Sequence, residues 1–166
     1  MSNANPLPRF AIVTCSDTRT LAQDSAGECL VKLIEDKGWE CLSHVVVKDD
    51  VNDIAAAIVS AADEVAADVV LTCGGTGLSP RDVTPEATRM VCQREVPGIA
   101  EGMHAHSLAI TNRAMLSRAI CAQRFTETGS ALVVNLPGSR KAAQENWEAL
   151  VDVLPHAVLM MAGGGH

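Results

Sequence analysis

Between Leu71 and Glu86 the chain reads Leu-Thr-Cys-Gly-Gly-Thr-Gly-Leu-Ser-Pro-Arg-Asp-Val-Thr-Pro-Glu, which sets a glycine loop, an Arg-Asp pair and a helix start side by side. Gly74, Gly75 and Gly77 allow the backbone a sharp turn and leave N–H groups free of any ladder. Those groups, with a helix start behind them, can face a phosphate or carboxylate at close range. Arg81 supplies a charged donor, and Asp82 a carboxylate suited to Mg²⁺ or to a ligand N–H. Thr84 reads as an N-cap and Pro85 as the first helical residue. The loop is not a Walker A sequence, because no Gly-Lys-Ser/Thr follows, and it is not Gly-x-Gly-x-x-Gly. The chemistry it predicts is anion binding, whereas Gly-Gly-Thr-Gly alone would read as a tight turn after a strand.

Such a loop needs a strand to carry it. Asp68 to Cys73 is a short apolar run of the kind buried on both faces of a sheet. Upstream, Arg9 to Cys15 forms a similar run and ends in the polar loop Ser16-Asp17-Thr18-Arg19-Thr20. Ser25 and Glu28 stand at capping-box spacing, Leu30, Leu33 and Ile34 share a helical face, and Gly38 stops that helix. Glu40 to Val47 reads as a strand ending at Lys48-Asp49-Asp50, and Ile54, Ile58, Ala61 and Val65 form the stripe of the next helix. Strand, helix, strand, helix, strand predicts a parallel sheet with right-handed crossovers. Ligands gather outside the carboxyl ends of such strands. Ser16-Asp17, Asp49-Asp50 and the glycine loop all fall at that edge.

Beyond Ala87 the pattern predicts a helix through Met90 and Cys92, a break at Pro97-Gly98 and a helix over Ile99 to Leu108. Met115 to Phe125 and Ser130 to Leu136 are β-compatible and flank Thr126-Glu-Thr-Gly129, which predicts an antiparallel edge hairpin. A final helix from about Lys141 to Met161 should be interrupted at Pro155. The expected fold is an α/β three-layer sandwich whose mostly parallel sheet carries an antiparallel edge hairpin.

With 166 residues the chain suits one domain, residues 1–166 with a core over about 9–162. Hydrophobic residues make up 48% but aromatics only 2%, so the core must be built from Ala, Val, Leu, Ile and Met. The six cysteines are scattered, with no Cys-x-x-Cys and no zinc-ligand spacing, and read as small buried apolar residues in a reduced, cytoplasmic protein. Met1 to Pro8 lacks signal-peptide character, and no run is long enough to span a membrane. A formal net charge of −7 argues against a nucleic-acid binder. A small anionic ligand would need cations gathered locally, and Arg81, Arg113, Arg118, Arg140 and Lys141 are the candidates. His44, His104, His106, His156 and His166 show no metal spacing, and His104 and His106 do not share a helical face.

Taken together, these segments make the chain resemble the MogA/MoaB family of molybdenum-cofactor biosynthesis, including the G domains of gephyrin-type proteins. The resemblance runs from Phe10 to about Ala162. It rests on Ser16-Asp17 with Asp24-Ser-Ala-Gly27, Gly-Gly-Thr-Gly with Arg-Asp-Val-Thr-Pro-Glu-Ala, Arg94-Glu-Val-Pro-Gly98, Ala114-Met-Leu-Ser-Arg118 and Asn135-Leu-Pro-Gly138. Met-Leu-Ser-Arg and Asn-Leu-Pro-Gly lean toward the adenylyltransferase branch. The resemblance implies transfer of AMP from Mg-ATP to the terminal phosphate of molybdopterin, with pyrophosphate released and a separate molybdate-inserting protein downstream. It also implies a homotrimer or hexamer. The alternative within the family is a non-catalytic molybdopterin carrier of MoaB type; a gephyrin-like scaffold finds little support, as the chain shows no linker or second domain.

The same resemblance implies roles residue by residue. The family's two important aspartates fall on Asp49 and Asp82, for Mg-ATP handling, including Mg²⁺ itself, and substrate positioning. Gly74, Gly75, Thr76 and Gly77 would hold phosphate or the pterin-side ligand, with Arg81 as a phosphate contact and Ser117 touching molybdopterin. Ser16, Asp17, Pro137, Gly138 and Lys141 would line the same pocket. Each has a plainer reading. Asp49 or Asp50 could cap the helix near Val51, Asp82 could be tied to its own turn, Ser117 could be an ordinary polar position in a strand, and the cations could be solvated. Ser139-Arg140-Lys141 replaces the family's small residue and proline, and the Ala122 to Gly129 hairpin looks longer than usual.

Overall fold

The computed structural model describes residues 7–164; residues 1–6 and 165–166, which take in most of the N-terminal tail and His166, lie outside it. Six strands, β1 (Arg9–Cys15), β2 (Glu40–Val47), β3 (Val69–Cys73), β4 (Arg94–Glu95), β5 (Cys121–Thr126) and β6 (Gly129–Leu136), form one sheet in the order β2-β1-β3-β6-β5-β4. The neighbours β2, β1, β3 and β6 pair in parallel, while β5 runs antiparallel to β6 and β4 antiparallel to β5. The hairpin is therefore present, and its second arm also serves as an interior parallel strand. Helices α1 (Ser25–Asp36), α2 (Val51–Val59), α3 (Thr84–Val91), α4 (Pro97–Leu108), α5 (Arg140–Leu150) and α6 (Leu154–Met161) cover the two faces.

Strand alternation divides the core. Phe10 and Ile12 of β1, Leu71 of β3 and Val134 of β6 pack with Leu30, Ile34, Met103, Trp147 and Leu154 on one face. Ala11, Val13, Val70 and Val133 point the other way, against Ile54, Ile58 and Ala87. Three of the chain's four aromatics meet on the first face: the Phe10 ring lies 5.6 Å from Trp39 and 5.7 Å from Trp147, and the two tryptophans are 6.0 Å apart.

Several local expectations change. Asp24, not Ser25, caps α1, its carboxylate accepting from Gly27 N at 3.0 Å, while a capping box forms at Thr20 and Gln23. Thr84 is the first residue of α3 and not its cap; its hydroxyl donates to the Gly74 carbonyl at 2.8 Å, so the side chain fastens the glycine loop. The helix ends at Val91, and Pro97 itself opens α4. Met115 and Leu116 lie in a 3-10 turn, Asn112–Leu116, capped by Thr111, and β5 starts only at Cys121. The last helix is split by a 3-10 turn at Val151–Val153 before Pro155 in the first turn of α6, because proline has no N–H to give residue 151. The buried Asn135 holds β6 at the centre: its amide donates to Thr72 Oγ1 at 3.0 Å and Thr88 Oγ1 at 2.9 Å and its carbonyl accepts from Ile120 N.

Candidate active site

The carboxyl ends of β1, β2 and β3 bring their loops into direct contact. Asp17 N donates to Asp49 Oδ2 at 3.0 Å, and Asp49 N returns a bond to Asp17 Oδ1 at 3.2 Å. Arg81 grips Asp17 through Nε and Nη2, both at 2.9 Å. Asp82 accepts from Ser79 N at 2.9 Å, tying its own turn as the plainer reading supposed. Its Oδ2 also stands so close to Gly77 that a Cβ there would come within 2.9 Å. Ser16 closes the first loop by accepting from Thr18 N and Arg19 N. The helix-capping ambiguity between Asp49 and Asp50 resolves cleanly: Asp50 caps α2, accepting from Asn52 N and Asp53 N, and Asp49 turns toward the site.

Asp49 is the electrostatic focus. Its Oδ1 is buried and has no hydrogen-bond partner among the described residues. Partial burial pushes its carboxyl above the ordinary range, and the charges of Asp17 and Asp82 push it further, against the Asp17 N–H and Arg81. Asp17 is held below its usual range by the Arg81 guanidinium. Arg81 thus pairs with Asp17 and leaves the Asp49 and Asp82 carboxylates with no ion pair among the described residues, an arrangement that favours a bound cation. An orphaned carboxylate oxygen suits a hard cation of the Mg²⁺ type, which takes one or two protein carboxylates and completes its shell with water and phosphate oxygens. No group of three His, Cys, Asp or Glu side chains is arranged as a metal cage among the described residues.

The glycine loop is built for close approach. Gly74 has φ +103°, and a Cβ on it would lie 2.6 Å from the Cys15 carbonyl, while Gly75 at φ +68° would meet Thr84 Oγ1 at 2.3 Å and Asp49 Oδ1 at 3.4 Å. Gly138 comes up against the same turn: a Cβ on it would lie 3.2 Å from Gly74 Cα. Arg118 stitches the loop from behind, donating to the carbonyls of Gly77 and Asp82 and pairing with Glu86.

Beside the loop opens a cavity of about 380 Å³, whose wall includes Thr76, Gly77, Ser117 and Pro137 on one side and His104, Ser107, Glu145 and Asn146 from α4 and α5 on the other. Ser117 sits in the extended segment after the 3-10 turn and not in a strand. Lys141 does not line this cavity; its side chain is 85% exposed and its ammonium lies 3.8 Å from Glu145. Ser139, in place of the family's small residue, caps α5 by accepting from Ala142 N.

Sequence reasoning missed Arg19, Glu145 and the buried Asp24 cluster. Arg19 donates to the Gly138 carbonyl at 2.8 Å, linking the first loop to the last. Its position in the Ser16–Thr20 loop was the one signal available. Asp24 collects the Thr14 hydroxyl, Gly27 N and His44 Nε2 at 2.7 Å; burial alone would raise its carboxyl, but these bonds bring it below the usual range. The cluster fixes the start of α1 behind Ser16-Asp17.

Residues 11–156 match the family described as "Probable molybdopterin binding domain". The chain belongs to this family. The molybdopterin adenylyltransferase of Helicobacter pylori strain J99 is 32% identical over 158 residues, covering 93% of the chain and 88% of the relative. The Drosophila melanogaster molybdenum cofactor synthesis protein cinnamon is 36% identical over 153 residues, but the chain spans 90% of itself and only 25% of cinnamon. The crystal structure of the molybdopterin biosynthesis enzyme MoaB from Thermus thermophilus superposes with a TM-score of 0.83 at 38% identity, covering 95% of this chain and 98% of that one. No helix among the described residues is long and apolar enough to cross a membrane.

Proposed function

We propose that the protein is a cytoplasmic molybdopterin adenylyltransferase, acting on molybdopterin and Mg-ATP and passing its product to a molybdate-inserting protein. The observation that carries this reading is the orphaned Asp49 oxygen, set between Asp17 and Asp82 at the rim of the glycine loop. A terminal phosphate oxygen of molybdopterin attacks the α-phosphorus of ATP. A new P–O–P bond forms, the bond to the bridging oxygen of the β-phosphate breaks, and pyrophosphate leaves with that electron pair. The attacking phosphate is already an anion, so no side chain need remove a proton. The obstacle is the approach of two anions, and rate comes from positioning and electrostatics.

Asp49 and Asp82 would hold Mg²⁺, which supplies charge neutralisation to the triphosphate. The backbone of Gly74 to Gly77, with Thr76, would receive phosphate oxygens, and Ser117, Pro137 and Gly138 would place molybdopterin between loop and cavity. Arg81 reaches this edge already paired with Asp17, so its part is to orient that carboxylate, with phosphate contact possible only if the pair opens. Exposed Leu108, Ile110, Met115 and Leu116 support a homotrimer or larger assembly, because a monomer would leave them in water. Purified protein mixed with molybdopterin and Mg-ATP should form adenylyl-molybdopterin and pyrophosphate in equal amounts, and Asp82→Ala should lose about 100-fold or more in rate. Saturable molybdopterin binding without product would instead assign the carrier role.

A further inference from the structure

We infer that Glu145 is the residue that recognises the ligand's heterocycle, its carboxylate reading a 2-amino-4-oxopyrimidine edge of the kind carried by pterins and by guanine. This rests on the proposal that the cavity beside the glycine loop takes the organic part of the anionic substrate.

Several polar groups of the cavity wall are spent, while His104 Nε2 is buried with no hydrogen-bond partner among the described residues. The Asn146 side-chain nitrogen donates to Ser107 Oγ at 3.2 Å and to the Ala142 carbonyl at 2.8 Å. Ser139 and Thr111 accept from backbone N–H groups as caps. Glu145 differs. Its side chain is only 18% exposed, and its one ion pair among the described residues is with Lys141 at 3.8 Å, whose own side chain is 85% exposed. A surface pair at that separation contributes little. A carboxylate drawn this far out of water, with lone pairs unspent, needs N–H donors to offset its desolvation. A flat heterocycle with an exocyclic amine next to a ring N–H presents two parallel donors at the spacing of two carboxylate oxygens, the pairing that makes bidentate bonds strong. A volume of about 380 Å³ is of the size that ligand pockets take. A phosphate brought against Glu145 would be repelled, with Arg113 the cation elsewhere on the wall, so Glu145 selects the opposite end of the substrate from the one the glycine loop attracts.

The test titrates the full-length protein with pterin, with lumazine, in which a carbonyl replaces the 2-amino group, and with guanosine monophosphate. Wild type should bind pterin about tenfold or more tightly than lumazine, as expected for loss of a charge-assisted bond. Glu145→Gln should bring the two within about twofold while melting at an unchanged temperature, and Glu145→Asp should restore part of the preference. Equal pterin and lumazine affinities in wild type, or a preference that survives Glu145→Gln, would overturn the inference. Guanosine monophosphate binding more tightly than pterin, with the same dependence on Glu145, would overturn the assignment to a pterin. A Glu145-dependent preference in a protein that forms no adenylyl product would leave this inference standing and sink the adenylyltransferase reading alone.

Discussion

Asp49 shows how much a single residue can hide in sequence. Beside Asp50 and ahead of a helix, the two carboxylates are interchangeable as caps, and only the fold decides that Asp50 bonds Asn52 N and Asp53 N while Asp49 faces Asp17. The cost of that placement is measurable. Because its folded-state carboxyl is raised by burial and by neighbouring charge, the folded protein holds that proton more tightly than the unfolded chain. The stability this contributes is present below the ordinary carboxylate range and lost as pH rises through the raised value. At neutral pH the ionised side chain is therefore a net burden. Asp49→Asn should raise the melting temperature at neutral pH, with the gain shrinking as the buffer is made acidic, and thermal melts across that range check the sign. Lys141 carries the opposite lesson: a cation one turn from the loop looks like a phosphate ligand, yet its long side chain runs out into solvent, while Glu145, one turn further along the same helical face, lines the cavity.

The elements that hold the site were legible wherever the signal was local and periodic. The first three strands and their helices follow apolar runs and 3.6-residue stripes, so the convergence of Asp17, Asp49 and the glycine loop could be read directly from chain order. The less legible elements depend on partners distant in sequence. A strand of only two residues, β4, exists because β5 lies beside it, and Met115 to Arg118 has strand-like composition but is bent by the Thr111 cap into a 3-10 turn. Thr84 has the composition and place of a cap, and the sequence cannot show the Gly74 carbonyl that takes its hydroxyl. The glycine loop makes the element-scale prediction. At Gly74 a side chain would meet both a left-handed φ of +103° and the Cys15 carbonyl at 2.6 Å, a backbone atom that cannot rotate away. Gly74→Ala should cost about 2 kcal/mol or more in a urea titration and should weaken ATP binding at the same time.

Across the whole molecule, a core poor in aromatics concentrates three of them where β1, the turn into β2 and α5 meet. Trp147 is 2% exposed within that cluster and sits on the helix that also carries Glu145. Trp147→Ala should destabilise the fold by about 3–5 kcal/mol, read from denaturant curves followed by Trp39 fluorescence. A loss below about 1 kcal/mol would mean that the cluster does not anchor α5. The two faces of the sheet thus have different duties: α2 and α3 frame the acidic edge and the glycine loop, while α4 and α5 shape the cavity.

The most direct test of adenylyl transfer at this edge follows the α-phosphorus. Protein, molybdopterin, Mg²⁺ and ATP labelled at the α-phosphorus are mixed, and label reaching molybdopterin is compared with pyrophosphate released, in wild type and in Asp49→Asn. The structure predicts stoichiometric label transfer in wild type, abolished by chelation of Mg²⁺, and a loss of about 100-fold or more in the variant although it remains folded. Label transfer undiminished in Asp49→Asn, or no transfer by wild type that binds both substrates, would contradict the account.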